Sequence, residues 1–222
     1  MAKKSAKLQY MSEARRPESL SPLNQSQAEM LHAIQDKQII LASGSAGTGK
    51  TYLAVIKACE MLYDRHIQKV VISRPNIETA KSLGALPGEL DEKLEPYMAV
   101  MKSMIIGRFG LGWFNTQYRL GNIEMPALGF IQGATYDNSI IIIDEAEHLS
   151  PREMYIILTR VGLDSRIVLC GDSFQKFSKG QDGFADASSR LSHIKQFRHI
   201  EFSSDDIVRS ELCKSIVKAY EN

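Results

Sequence analysis

Cysteine is scarce in this chain of 222 residues: three in all, at positions 59, 170 and 213, with no Cys-x-x-Cys spacing. That excludes a disulfide framework, argues against a cysteine metal centre, and fits buried free thiols in a reducing cytosol. Long hydrophobic runs are also missing, and no stretch nears the roughly 20 apolar residues that span a bilayer. Lys3, Lys4 and Lys7 are followed by no apolar core, so the beginning does not read as a secretory leader. Nor is there an excess of one charge, since 27 Lys and Arg face 26 Asp and Glu for a net +1. Bulk charge therefore gives no reason to expect nucleic acid, and any such contact must come from local patches. One patch is the beginning of the chain, where Lys3, Lys4, Lys7, Arg15 and Arg16 outnumber Glu13 and Glu18. A solvated leader is the plainer reading of it.

What remains is an ordinary globular composition, 44% hydrophobic, enough to build a core for one domain. The expected division is a flexible basic tail over residues 1–20 and a single domain over 21–222. A helix is expected after Pro22, carrying Gln27, Met30, Leu31 and Ile34, and a buried strand over 38–43. A helix to about Arg65 follows, then a strand over 69–73 ended by Arg74-Pro75. A long connection over 76–91 leads to helical spacing over 92–104, with Pro96 suggesting the true start. Ile140-Ile141-Ile142-Ile143 reads as a buried parallel strand, 151–159 as a helix, 166–170 as another strand, and 207–220 as a closing helix. Strands alternating with helices, without internal repeats, imply an α/β fold, a parallel sheet covered on both faces. Trp113, Phe114 and Tyr118 lie in the least patterned stretch, 107–129, where base stacking and core or subunit packing both stay open, with packing the simpler.

The most informative segment is Gly44-Ser45-Ala46-Gly47-Thr48-Gly49-Lys50-Thr51, a full match to the phosphate-binding P-loop pattern, followed by Tyr52. Small residues let backbone N–H groups wrap phosphates, Lys50 brings a point charge, and the Thr51 hydroxyl can ligate Mg²⁺. Strand before and helix after are the context that this motif requires. Asp144 and Glu145 follow the isoleucine strand, at the sheet edge where such folds bind ligands. Asp144 is placed to hold Mg²⁺ through its water shell and Glu145 to accept a proton from an attacking water. Glu147 and His148 read as a solvated helix start. Gly171-Asp172-Ser173-Phe174-Gln175 follows the next strand, and Gln175 could sense a γ-phosphate through a neutral amide. Gln27 lies upstream of the P-loop, where its amide could read adenine; an ordinary surface glutamine is the alternative. No Asn/Thr-Lys-x-Asp guanine reader occurs. Arg209, Arg160 and Arg74 are candidates for a charge-stabilising finger.

Together these segments resemble the PhoH-like ATPase family, relatives of superfamily 1 helicase cores, over roughly residues 20–221. The resemblance rests on Asn24-Gln25-Ser26-Gln27, the P-loop through Ala54, Ser73-Arg74-Pro75, and Leu83 to Leu90 with Lys93 and Pro96-Tyr97. It continues through Ile142 to Ala146, Leu158 to Gly162, Gly171-Asp172 with Gln175, and Val208-Arg209 with Ile216 to Glu221. It implies a RecA-like P-loop NTPase fold, ATP hydrolysis with Mg²⁺, and homo-oligomeric rings, commonly hexamers. Some family members join this domain to a nuclease domain and act as RNA helicases, so RNA or single-stranded nucleic acid is the implied partner. Carried over, Lys50 and Thr51 bind phosphate and metal, Asp144 and Glu145 are the metal and base carboxylates, Gln175 is the sensor and Arg209 the finger. Two departures stand out: the family's Arg-Gly-Arg-Thr reads Gln132-Gly133-Ala134-Thr135, and Asp-Glu-Ala-Gln reads Asp144-Glu145-Ala146-Glu147. The missing arginines bear on helicase activity more than on ATPase chemistry. A compact version with such drift would suit a phage-encoded copy. With one P-loop domain, the finger is expected from another subunit, Arg209 of one chain facing Lys50 of the next.

Overall fold

The computed structural model describes residues 17–75, 90–172 and 182–221. Six parallel strands form one sheet in the order β3-β2-β4-β5-β1-β6: β1 Ile39–Gly44, β2 Lys69–Ser73, β3 Ile123–Glu124, β4 Ser139–Ile143, β5 Arg166–Cys170 and β6 Phe197–Phe202. Side chains alternate across the pleat, and the sheet divides the core accordingly. Ile140 and Ile142 of β4 enter one hydrophobic cluster, with Val70, Ile72, Val168 and Ile40. Ile141 and Ile143 enter the other, with Val71, Ile167, Leu169 and Leu41. A strand buried on both faces has no polar side to present, which is why β4 is a run of four isoleucines.

Helices supply the outer layers. On the first face lie α1 Gln25–Asp36, α2 Lys50–Tyr63, α3 Leu90–Phe109 and α4 Leu111–Arg119, through Met30, Leu53, Ile105 and Phe114 among others. On the second lie α5 Leu128–Ile131, α6 Pro151–Leu158 and α7 Gly183–Leu191, through Ile131, Ile157 and Phe184. The last helix, α8 Glu211–Glu221, runs outside both layers. This is the expected α/β, RecA-like P-loop architecture, a parallel sheet with helices on both faces.

Several boundaries differ from the sequence expectations. Pro96 lies inside α3, which begins at Leu90 rather than at the proline. Residues 207–210 are not helical: the Val208 N–H bonds the Gly47 carbonyl, and the helix starts only at Glu211. β6 is an additional strand, paired along its length with β1 from Ile39↔Phe197 to Gly44↔Phe202. The last residues of the expected tail are tied to the domain: Leu20 N–H donates to Glu60 Oε1 at 2.6 Å, and Arg108 donates to the Glu18 carbonyl. Trp113 stacks on Phe109 with centroids 4.5 Å apart and Phe114 is buried, so these two pack the core, while Tyr118 stacks on Phe114 from an exposed position. Cys59 and Cys170 are buried as expected, whereas Cys213 is partly exposed because α8 lies on the surface. Among the described residues no helix is long and apolar enough to cross a membrane.

Candidate functional site

All six strands point their C-terminal ends the same way, and β1, β4 and β5 deliver their following loops to one edge. β1 runs directly into the phosphate loop. Gly44 has φ +128°, and a Cβ there would lie 1.9 Å from the Phe202 carbonyl oxygen, so only glycine lets β1 and β6 stay paired while the chain turns. Gly49, at φ 90°, caps α2 in the left-handed region and aims the first turn's free N–H groups into the cleft.

Lys50 lies folded into this loop. Its Nζ donates to the carbonyls of Gly44 at 2.7 Å and Ser45 at 2.8 Å, and to Thr48 Oγ1 at 3.2 Å. The Phe202 ring lies 6.0 Å away on a cation–π contact. Burial lowers the Lys50 pKa, while the carboxylates of Asp172, Glu147 and Asp144 work against that shift. The ammonium is thus held by neutral oxygens, a lodging that phosphate oxygens can replace.

The Thr51 hydroxyl donates to Asp144 Oδ1 at 2.6 Å. α2 and β4 thereby present two hard oxygen ligands side by side, the donor set that Mg²⁺ takes from protein, and the pair fits that ion. Glu145 follows in the left-handed region at φ 52°, and its carboxylate is ion-paired with Arg74, at the end of β2. A single cleft of about 410 Å³ is lined by Ala46, Lys50, Thr51, Asp144, Glu145 and Arg209. Gly47, Gly49 and Tyr52 line it too, and α3 adds an apolar wall of Val100, Met101 and Met104 that no sequence motif marks.

This geometry bears on three expectations. Arg209 lies against its own phosphate loop: a Cβ on Gly47 would come within 2.9 Å of Arg209 Cδ. The Val208–Gly47 hydrogen bond, at 3.1 Å, brings the arginine there, so that within one chain Arg209 lines the same cleft as Lys50. Glu147 is not solvated but 5% exposed, and it lines the same cleft. Burial pushes its pKa up from 4.5 to about 7, with Glu145 and Asp172 adding repulsion and backbone N–H groups of Glu147 and Asp172 opposing. Gln27 is 3% exposed and carries no surface role. Its Oε1 accepts the Leu23 N–H at 2.8 Å and its Nε2 donates to the Thr48 carbonyl at 3.0 Å, bracing the phosphate loop from behind. Asn24 and Ser26 extend the brace to Asp206, at 3.3 and 3.0 Å.

Of the other finger candidates, Arg160 is tied to the carbonyls of Ile156 and Gln132, and Arg74 pairs with Glu145. Asp172 lines the cleft, while Gln175 lies outside the described residues, as does most of Leu83 to Leu90. A second cavity of about 530 Å³ lies on the far side of the P-loop strand, under α7. In its wall His199 bridges Ser43 at 2.8 Å and Ser188 at 2.9 Å, and burial lowers its pKa.

The sequence pattern of the PhoH-like protein family matches residues 19–221. The chain is 36% identical over 197 residues to a PhoH-like protein of Bacillus subtilis, covering 88% of this chain and 62% of that protein. It is 32% identical over 214 residues to Protein PhoH of Escherichia coli K12, covering 93% and 60%. It thus spans about three-fifths of the length of these relatives. Among solved structures, the large terminase of a thermophilic bacteriophage superposes with a TM-score of 0.57 at 15% identity, over 89% of this chain and 50% of that one. The same terminase in complex with ADP superposes at 0.54. At that identity the likeness speaks for the fold, and the fold agrees with the P-loop cleft described above. On the match across residues 19–221, the chain belongs to the PhoH-like protein family.

Proposed function

We propose that the chain binds and hydrolyses ATP with Mg²⁺ and acts on RNA or single-stranded nucleic acid as a homo-oligomer, a hexameric ring being the form the family resemblance implies. The observation that carries the ATPase reading is the convergence of Lys50, Thr51, Asp144, Glu145 and Arg209 on one cleft. In this reading the N-terminal amides of α2 and the Lys50 ammonium take the phosphates, the ammonium leaving the Gly44 and Ser45 carbonyls to do so. Thr51 and Asp144 would hold Mg²⁺, which would supply charge neutralisation to the phosphates. Glu145 takes a proton from the attacking water, which requires its carboxylate to leave Arg74. Arg209 meets the charge that develops on the transferred phosphoryl group, and Gln175 is the proposed sensor.

The Arg74–Glu145 pair also supports a second reading, an ATP-dependent binding switch with little turnover, in which the base stays neutralised. Oligomerisation is supported by the apolar stripe of α8, where Leu212, Ile216 and Tyr220 are 70, 51 and 89% exposed. Action on nucleic acid rests on the resemblance alone, and cytoplasmic location agrees with three free cysteines. The test is phosphate release per subunit as protein concentration rises, with and without single-stranded RNA, and Glu145→Gln as the blank. Activity that climbs with concentration and vanishes in the variant supports an oligomeric ATPase. Nucleotide binding without turnover in the parent chain selects the switch.

A further inference from the structure

Glu147 is a buried carboxyl that the ATPase scheme does not use. It lies in the 3₁₀ turn Ala146–His148 and lines both the phosphate cleft and the cavity under α7. Backbone N–H groups of Glu147 and Asp172 face its carboxyl, yet Oε2 has no hydrogen-bond partner among the described residues. A buried oxygen left in that state costs free energy unless a ligand completes it.

The charges around it determine what kind of ligand. On the cleft side stand the Lys50 ammonium and the carboxylates of Asp144, Glu145 and Asp172. His148 Nε2 lies 3.8 Å from Oε1 on its own turn, and Asp182, His199 and Glu201 line the other cavity. Gly171 closes the remaining side, so that a Cβ there would lie 3.1 Å from Oε2. An ionised Glu147 would add a negative charge beside the place where a triphosphate, itself anionic, meets Lys50. A protonated Glu147 turns the same oxygen into a donor, and a phosphate oxygen is the acceptor that this cleft is built to receive. Burial among carboxylates favours the protonated form, raising the pKa to about 7.

We propose that Glu147 is a nucleotide-binding residue that works as a neutral acid, donating its Oε2 proton to the terminal phosphate, so that binding a triphosphate at neutral pH takes up a proton. This rests on the reading of the cleft as an ATP site. Its consequence is a linkage: above pH 7 the free protein must first be protonated, and affinity weakens by up to about tenfold per pH unit.

Calorimetric titration of the full chain with a non-hydrolysable ATP analogue and Mg²⁺, between pH 6.5 and 8.5, tests it. Repeating each point in two buffers of different ionisation enthalpy counts the protons exchanged. The expected result is uptake approaching one proton at pH 8, with less for ADP. Glu147→Gln keeps a donor but cannot titrate, so its uptake should fall by that proton and its affinity should stay level where the parent's declines. The nucleotide's own titration is common to both proteins and cancels. Equal uptake in the two proteins overturns the assignment to Glu147, and equal uptake with ADP overturns the terminal-phosphate contact. Absence of nucleotide binding at every pH overturns the ATP site itself, a different failure from the others.

Discussion

Replacing Glu147 by glutamine should change how the free protein's stability responds to pH, with no nucleotide present. The carboxyl ordinarily titrates at 4.5 and in the fold at about 7. The folded state therefore binds more protons than the unfolded chain between those values. Stability from this group is fully present below pH 4.5 and is lost as pH rises towards 7. At about 1.4 kcal/mol per pH unit over that interval, the loss accumulates to roughly 3 kcal/mol. The amide of the variant does not titrate, so the difference between the two proteins isolates the group. For a chain of this size 1 kcal/mol moves the melting temperature by about 2–4 °C, so the parent should lose roughly 10 °C against the variant between pH 4.5 and 7.5. Differential scanning calorimetry at four or five pH values reads this directly. Melting temperatures that run parallel across the range would refute a neutral buried Glu147, and with it the proton that the nucleotide is proposed to receive.

Other perturbations follow from the same cleft. Thr51→Ala removes one of the two oxygen ligands, so more Mg²⁺ should be needed for half-maximal hydrolysis, by about tenfold for one lost charge-assisted contact, and chelation should abolish activity in both proteins. Gly44→Ala puts a Cβ 1.9 Å from the Phe202 carbonyl at φ +128°, and should cost more than about 2 kcal/mol in urea unfolding; a neutral result would contradict the β1–β6 geometry. Lys50→Ala and Arg209→Ala should each be inactive and remain so when mixed, because both side chains serve the same chain's site. Activity restored by mixing would assign the arginine to a neighbouring subunit.

The strands most legible in the sequence are those buried on both faces. β2, β4 and β5 are continuous apolar runs, and for such runs no other arrangement hides the side chains. β6 is hard to read because, at the sheet edge, Phe197 to Phe202 mixes polar and apolar residues without a period of two, with Arg198 and His199 side by side and Glu201 breaking the run. The chemistry of the P-loop, Asp144 and Glu145 is legible for a different reason: phosphate and metal demand particular groups at fixed spacing. Glu147 misleads because a carboxylate after a strand is usually wet, and only the fold reveals that Ala146, Leu149 and Phe184 seal the turn. That Arg209 lines its own chain's cleft cannot be read from the sequence, because it depends on the path of residues 203–209. That path is set by a capping box between Ser203 and Asp206, too local a signal to indicate where the chain then goes.

The hydrogen bond between Val208 and Gly47 has a mechanical meaning. A phosphate loop that shifts on filling or emptying pulls on residue 208, and α8 begins only three residues later. The helix is thus tethered at its start to the phosphate loop. A partner gripping Leu212, Ile216 and Tyr220 would therefore pull on the phosphate loop through three residues of chain and one hydrogen bond.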